Sequence, residues 1–169
     1  VSNLLGLSRC YKAFGDYSKA IYYAEEYALA IKNIYGDKTN KYAIALENLA
    51  SCYGHIGNLK KDSLYQADAL YLKSKNKDEK PIEYSIALAN IAMSLYRNDK
   101  IEEALEINQK AIAIMTEYGF NNVVPRVNNV EFKVAGRLYE ESLKDINEMI
   151  DTVKNNTFSY AQLLYFKAY

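Results

Sequence analysis

The sequence predicts an all-α fold, a right-handed α-solenoid of antiparallel helix pairs forming a single domain. Three observations carry this. The string "YAIALENLA", Tyr42 to Ala50, returns 42 residues later as "YSIALANIA", Tyr84 to Ala92, with six of nine letters unchanged. Within the repeat, apolar residues recur at i, i+3, i+4 and i+7, the stripe of a helix that buries one face. Proline occurs only at Pro81 and Pro125 in 169 residues, which leaves long stretches free to stay helical.

On the 42-residue period, the first helix of each unit aligns as Leu4, Leu46, Leu88; Leu7, Leu49, Ile91; Ser8, Ala50, Ala92; and Tyr11, Tyr53, Leu95. The Ser/Ala column marks the close approach of a second helix. A turn follows at Gly15, Gly57 and Asp99, residue types suited to the left-handed stop of a helix. The second helix begins two residues later and carries its own stripe. In the first unit this is Tyr17, Ala20, Ala24, Tyr27, Ala28 and Ile31; in the third it is Ile101, Ala104, Leu105, Ala111, Ile112 and Met115. One such pair cannot bury its apolar face alone, so successive pairs must stack.

Tyr42 and Tyr84 share a phase just before the first helix proper and are expected to close the seam between units, as a hydrophobic staple does. Most of the 17 tyrosines, Tyr11, Tyr17 and Tyr53 among them, fall in stripe columns, where the ring packs and the hydroxyl reaches the edge. Asp62 and Gln66 break the pattern, standing where the first unit has Ala20 and Ala24. A small helix shift that turns Ser63 and Ala67 inward is the first expectation, because an unpaired buried carboxylate is costly; a polar contact inside the stack is the second.

After Pro125 the phase slips. "FKVAGRLY" offers Phe132, Ala135, Gly136 and Tyr139 as a first-helix stripe shifted by two from the strict period, and "SLKD", Ser142 to Asp145, reads as a capping box for a helix running to about Asn155. The last stretch, "TFSYAQLLYFKAY", reads as a further first helix. The units expected are about 1–39, 40–81, 82–123 and 124–156, with a partial helix over 157–169, in a piece cut from a longer protein.

The order of a large residue, Leu, small, Tyr, Gly, aromatic, Ala resembles the tetratricopeptide repeat, and "FGDYSKA", Phe14 to Ala20, is close to that family's turn consensus. The 42-residue spacing, with "ALAIKNIYGDKTNKYAIALENLA" bridging two units, is similar to the longer-helix variety found in kinesin light chains and many bacterial regulators. The resemblance spans residues 1 to about 118.

Composition narrows the function classes. Lys plus Arg and Asp plus Glu both number 21, so no net field draws the chain to nucleic acid or to an anionic membrane, and no dense basic run supplies a local one. No apolar stretch approaches the ~20 residues that span a bilayer. One histidine and two cysteines do not make a metal cluster or a disulfide framework. Cys10 and Cys52 stand at equivalent points of successive helices, whose axes pack about 8–10 Å apart. That exceeds the roughly 7 Å Cα separation of a disulfide, so both are read as small residues at a seam. No phosphate-cradling loop or nucleophile motif is present, and adjacent carboxylates such as Glu25 and Glu26 point apart on their helix. The expectation is a domain that is not an enzyme and carries no cofactor.

In tetratricopeptide folds the face of the first helix opposite the stripe lines a concave groove. Carried over by the period, that face displays Leu5, Gly6, Arg9, Lys12 and Ala13; then Ile44, Glu47, Asn48, Ser51, Gly54 and His55; then Ile86, Ala89, Asn90, Met93, Tyr96 and Arg97. Asn48 and Asn90 form one column, and an amide carries both a donor and an acceptor for a peptide backbone. Arg9, Lys12 and Arg97 line the face with positive charge, against Glu47. Met93, Tyr96 and His55 are expected to form side-chain pockets, and with Ser51 the residues expected to bind in the groove are nine: Arg9, Lys12, Asn48, Ser51, His55, Asn90, Met93, Tyr96 and Arg97. Leu5 and Glu47 occupy columns where the family's carboxylate clamp uses lysine, which argues against that mode.

The function expected is a scaffold that binds a peptide segment of a partner, or of its own parent chain, in this groove. The alternatives are a peptide-sensing domain of a bacterial signalling or transcription regulator, and a structural module that self-associates through Phe158 to Tyr169. Nucleic acid and membrane are not expected as partners of this domain. The compartment depends on flanking segments, cytoplasmic as the first expectation and the periplasmic part of a membrane-anchored regulator as the other.

Overall fold

The computed structural model describes residues 2–120, 122–149 and 165–166. Eight helices follow one another among these: α1 Ser2–Ala13, α2 Tyr17–Tyr35, α3 Asn40–His55, α4 Leu59–Ser74, α5 Pro81–Arg97, α6 Ile101–Glu117, α7 Val123–Ala135 and α8 Tyr139–Met149. No strand occurs among the described residues. The expected partial helix over 157–169 lies outside them, apart from Tyr165 and Phe166, which are helical.

The helix starts are written in the sequence. Asp16, Thr39, Asn58 and Asn122 each accept a hydrogen bond from a backbone N–H of the first turn that follows, and Pro81 opens α5 where its missing N–H costs nothing. The stops share one geometry. Gly15, Gly57, Asp99 and Arg137 all have positive φ, at 79°, 73°, 60° and 62°. After each, the next N–H returns to a carbonyl five residues back: Asp16 to Tyr11, Asn58 to Tyr53, Lys100 to Leu95 and Leu138 to Lys133. This is the closure that ends a helix at a left-handed residue. The first three are the predicted turn column.

The fourth corrects the register. Aligning Arg137 with Gly15, Gly57 and Asp99 moves the last pair four residues earlier than the strict period, not two later. Ala135 and Gly136 therefore close α7 and Tyr139 opens α8, so these three do not belong to a first-helix stripe. Ser142 to Asp145 lies inside α8, with Ser142 buried, and caps nothing. In the corrected frame, three columns of the second helices are buried throughout: Ala20, Asp62, Ala104, Ser142; Ala24, Gln66, Asn108, Ile146; and Tyr27, Ala69, Ala111, Met149.

Each helix packs on its sequence neighbours, α1 on α2 through to α7 on α8. The odd-numbered helices also touch one another in series, α1 with α3, α3 with α5 and α5 with α7, whereas α2, α4 and α6 make no such contacts. The solenoid thus closes on the side of the odd helices and opens on the other, which makes the odd-helix face the inner, concave one. The close-approach column behaves as expected, since Ser8, Ala50 and Ala92 are fully buried. Tyr42 packs on the first core cluster and Tyr84 on the cluster of Leu88, Ala89 and Ala111, both at the seams between units.

The second unit carries a polar interior. Asp62 and Gln66 are 0 % and 4 % exposed while Ser63 and Ala67 face solvent, so the expected helix shift does not occur. Instead Asp62 Oδ2 meets Arg97 Nη1 at 3.4 Å. The pair crosses α3 at Gly54, where an added Cβ would stand 2.6 Å from Arg97 Nη1 and 3.0 Å from Asp62 Oδ2. Burial pushes the Asp62 carboxyl above its ordinary range, and Arg97 pulls it back. The cysteines are both free; Cys52 sits buried at a seam, and Cys10 is exposed, contrary to the seam reading for it.

Candidate functional site

A cavity of about 310 Å³ opens on the inner face between α1, α3 and α5. Seven of the nine residues expected in a groove line it: Arg9 and Lys12 from α1, Asn48 and Ser51 from α3, and Asn90, Met93 and Arg97 from α5. Ile44, Ile86 and Met93 supply its apolar wall, and Glu47 and Gln66 complete it.

Two of the nine lie elsewhere. Tyr96 turns toward α7, where its ring packs 4.8 Å from Phe132 and burial pushes its hydroxyl up. His55 is exposed at the end of α3, with Nδ1 2.8 Å from the Ser51 carbonyl and its ring 5.6 Å from Tyr17. Neither forms a pocket around the cavity.

The asparagine column is more occupied than its exposure pattern suggested. Asn48 is only 7 % exposed, and its Nδ2 donates to Ser8 Oγ at 2.8 Å; Ser8 in turn donates to the Ala20 carbonyl at 2.9 Å. One amide N–H of Asn48 therefore ties α3 to α1 and α2. Asn90 Nδ2 donates to Glu47 Oε1 at 3.0 Å. The expectation of two amides standing free for a peptide is corrected accordingly, because helices this close leave an amide at their seam within reach of the next helix. With the register reset at Arg137, the same column contains Asn128 on α7, half-buried and with no side-chain hydrogen bond to the other described residues. The slip hid it from the strict period.

Charge in the cavity follows the same economy. Lys73 Nζ, nearly buried on α4, donates to both Glu47 oxygens at 2.8 Å. A signal for this pair was present: Lys73 stands in the column of Ile31 and Met115, and Glu47 in that of Leu5 and Ala89. Two charges in apolar columns of neighbouring helices point to each other. Lys12 Nζ donates to Ser51 Oγ at 2.7 Å, and burial, with further repulsion from Arg9 and Arg97, lowers its pKa. On the α7 side, burial raises the Glu131 carboxyl, with the Tyr96 hydroxyl and Arg97 working against it.

No group of residues suited to a metal ion occurs among the described residues, and none of the described helices is long and apolar enough to cross a membrane. The arrangement presents donors, one well-held carboxylate and an apolar wall on a rigid layer of helices.

No family model matches the sequence, and no curated protein does. The fold, however, has close counterparts. A Podosopora anserina protein described as a kinesin light chain with nearly identical TPR-like repeats superposes with a TM-score of 0.77 at 12 % identity, over 99 % of this chain and 83 % of that one. A single-residue variant of the same protein matches equally well, over 82 % of its length. The chain is a TPR-like solenoid.

Proposed function

We propose that this domain is a protein-interaction scaffold whose inner face holds an extended segment of a partner, or of its own parent chain, in the cavity between α1, α3 and α5. The carrying observation is the convergence of three consecutive helix pairs on one lined hollow, with Arg9 and Lys12, Asn48 and Ser51, and Asn90 and Met93 facing it together. A segment lying there crosses three units, and its backbone meets amide and hydroxyl groups while Ile44, Ile86 and Met93 take an apolar side chain. The TPR-like fold supports an interaction role in general.

Met93→Arg tests this. It fills the cavity from a half-buried position at the edge of the cluster of Ala92, Ala104 and Phe132. A peptide that binds the unmodified domain, measured by calorimetric titration, is expected to lose binding to the variant by more than tenfold while the melting temperature holds. Undiminished binding to a folded M93R variant would move the site elsewhere. A native mass measurement of the complex then separates a short signalling peptide from a segment within a larger partner.

A further inference from the structure

The charges around the cavity do not balance at its α1 end. Glu47 is the carboxylate in the lining, and Lys73 holds both of its oxygens at 2.8 Å, with Asn90 adding a hydrogen bond to Oε1. It already has its cation. Asp62, behind the wall, engages Arg97 through Nη1 alone at 3.4 Å, and Arg97 remains 26 % exposed along its side chain. Arg9 and Lys12 have no carboxylate within ion-pair distance among the described residues; Ser51 Oγ fixes the Lys12 ammonium without neutralising it. Three positive groups thus face one space.

We infer that the cavity takes an internal acidic residue, Asp or Glu, of the bound segment, its carboxylate against Arg9, Lys12 and the open edge of Arg97. This rests on the groove-binding reading above and specifies its ligand. The inner face continues past the cavity to α7, so the segment runs on beyond the anchor. An arriving carboxylate also relieves the mutual repulsion that Arg9 and Arg97 exert on Lys12. Such charge-assisted bonds are the strong ones in a partly desolvated site.

The test is a selection of random twelve-residue peptides, displayed with their C-termini fused to a carrier so that no free terminal carboxylate is offered. Selected peptides are expected to share an Asp or Glu at one position. In a synthetic copy, Glu→Gln at that position is expected to weaken Kd about ten- to a hundredfold. R9A/K12A is expected to do the same, without adding to the peptide change, and added salt weakens only the acidic form. Unchanged melting of R9A/K12A, and of K12M alone, shows that the fold is intact. If peptides are selected with no acidic preference, the groove reading stands and this inference falls. If R9A/K12A weakens acidic and Gln-substituted peptides alike, it also falls. If no peptide is selected, both fall.

Discussion

Asp62 on α4 reaches Arg97 on α5 across Gly54 of α3, with Oδ2 and Nη1 3.4 Å apart. The outer layer thereby holds a cation that lines the inner face. The carboxylate is fully buried and its Oδ1 has no hydrogen bond, so the charge is retained at a cost and partly offset by the guanidinium.

That cost gives a pH signature. The folded-state pKa of Asp62 lies above that of an ordinary carboxyl, so between the two values the native state binds more protons than the unfolded one. Stability therefore falls as pH rises through that window. The charged group facing Asp62 is the Arg97 guanidinium, and Gln66 and Ser94 are neutral. Asp62→Asn is expected to remove this component. Urea unfolding of both proteins from pH 4 to 7 checks it, with the gap moving in favour of D62N as pH rises.

Gly54→Ala tests the crossing itself. Alanine gains about 0.8–1.0 kcal/mol in helix propensity over glycine. Here its Cβ would meet Arg97 Nη1 at 2.6 Å and Asp62 Oδ2 at 3.0 Å, and although the arginine tip can swing away, the buried carboxylate has nowhere to go. Overpacking of about 1–3 kcal/mol less that gain leaves an expected net loss of up to about 2 kcal/mol. A gain in denaturant midpoint would show that the pair is free to move.

Lys73→Met should strand Glu47. The pair is almost dry, with side chains 4 % and 13 % exposed, and removing one member of such a pair costs about 3–5 kcal/mol. E47Q/K73M together are expected to recover most of it. A double-mutant cycle in urea gives the coupling directly.

The two asparagines of the repeated string should separate. Asn48→Ala removes a buried bond to Ser8, leaves that hydroxyl without its donor, and is expected to cost about 1–2 kcal/mol. Asn90→Ala opens a half-buried site on Glu47, whose charge Lys73 still holds, and should cost less. Denaturation midpoints of the two variants rank them.

How much of this was readable depends on where tertiary contacts override the repeat. The helix pairs, three left-handed turns and the close-packed Ser8, Ala50, Ala92 column follow from period and residue size alone. Seven of the nine residues expected in a groove line the cavity, because a helix's outer and inner faces are fixed by its stripe. Arg137 was not legible as the fourth turn, since a left-handed arginine carries no sequence mark beyond its neighbour Gly136. The period does not show where Tyr96 goes, because Phe132 on the out-of-register α7 takes its ring. Asp62 and Lys73 were visible as charges in apolar columns, but their partners Arg97 and Glu47 lie on other helices, and spacing along one chain does not pair them.

The central claim is that the inner face between α1, α3 and α5 is the binding surface. Methyl NMR tests it most directly, because Ile44, Ile86 and Met93 place reporters in the cavity, while Ile34 and Leu64 stand exposed on the outer helices α2 and α4. On titration with a selected peptide, the account predicts shifts concentrated on Ile44, Ile86 and Met93, with Ile34 and Leu64 still. Shifts on Ile34 and Leu64 with the cavity methyls unmoved would contradict it.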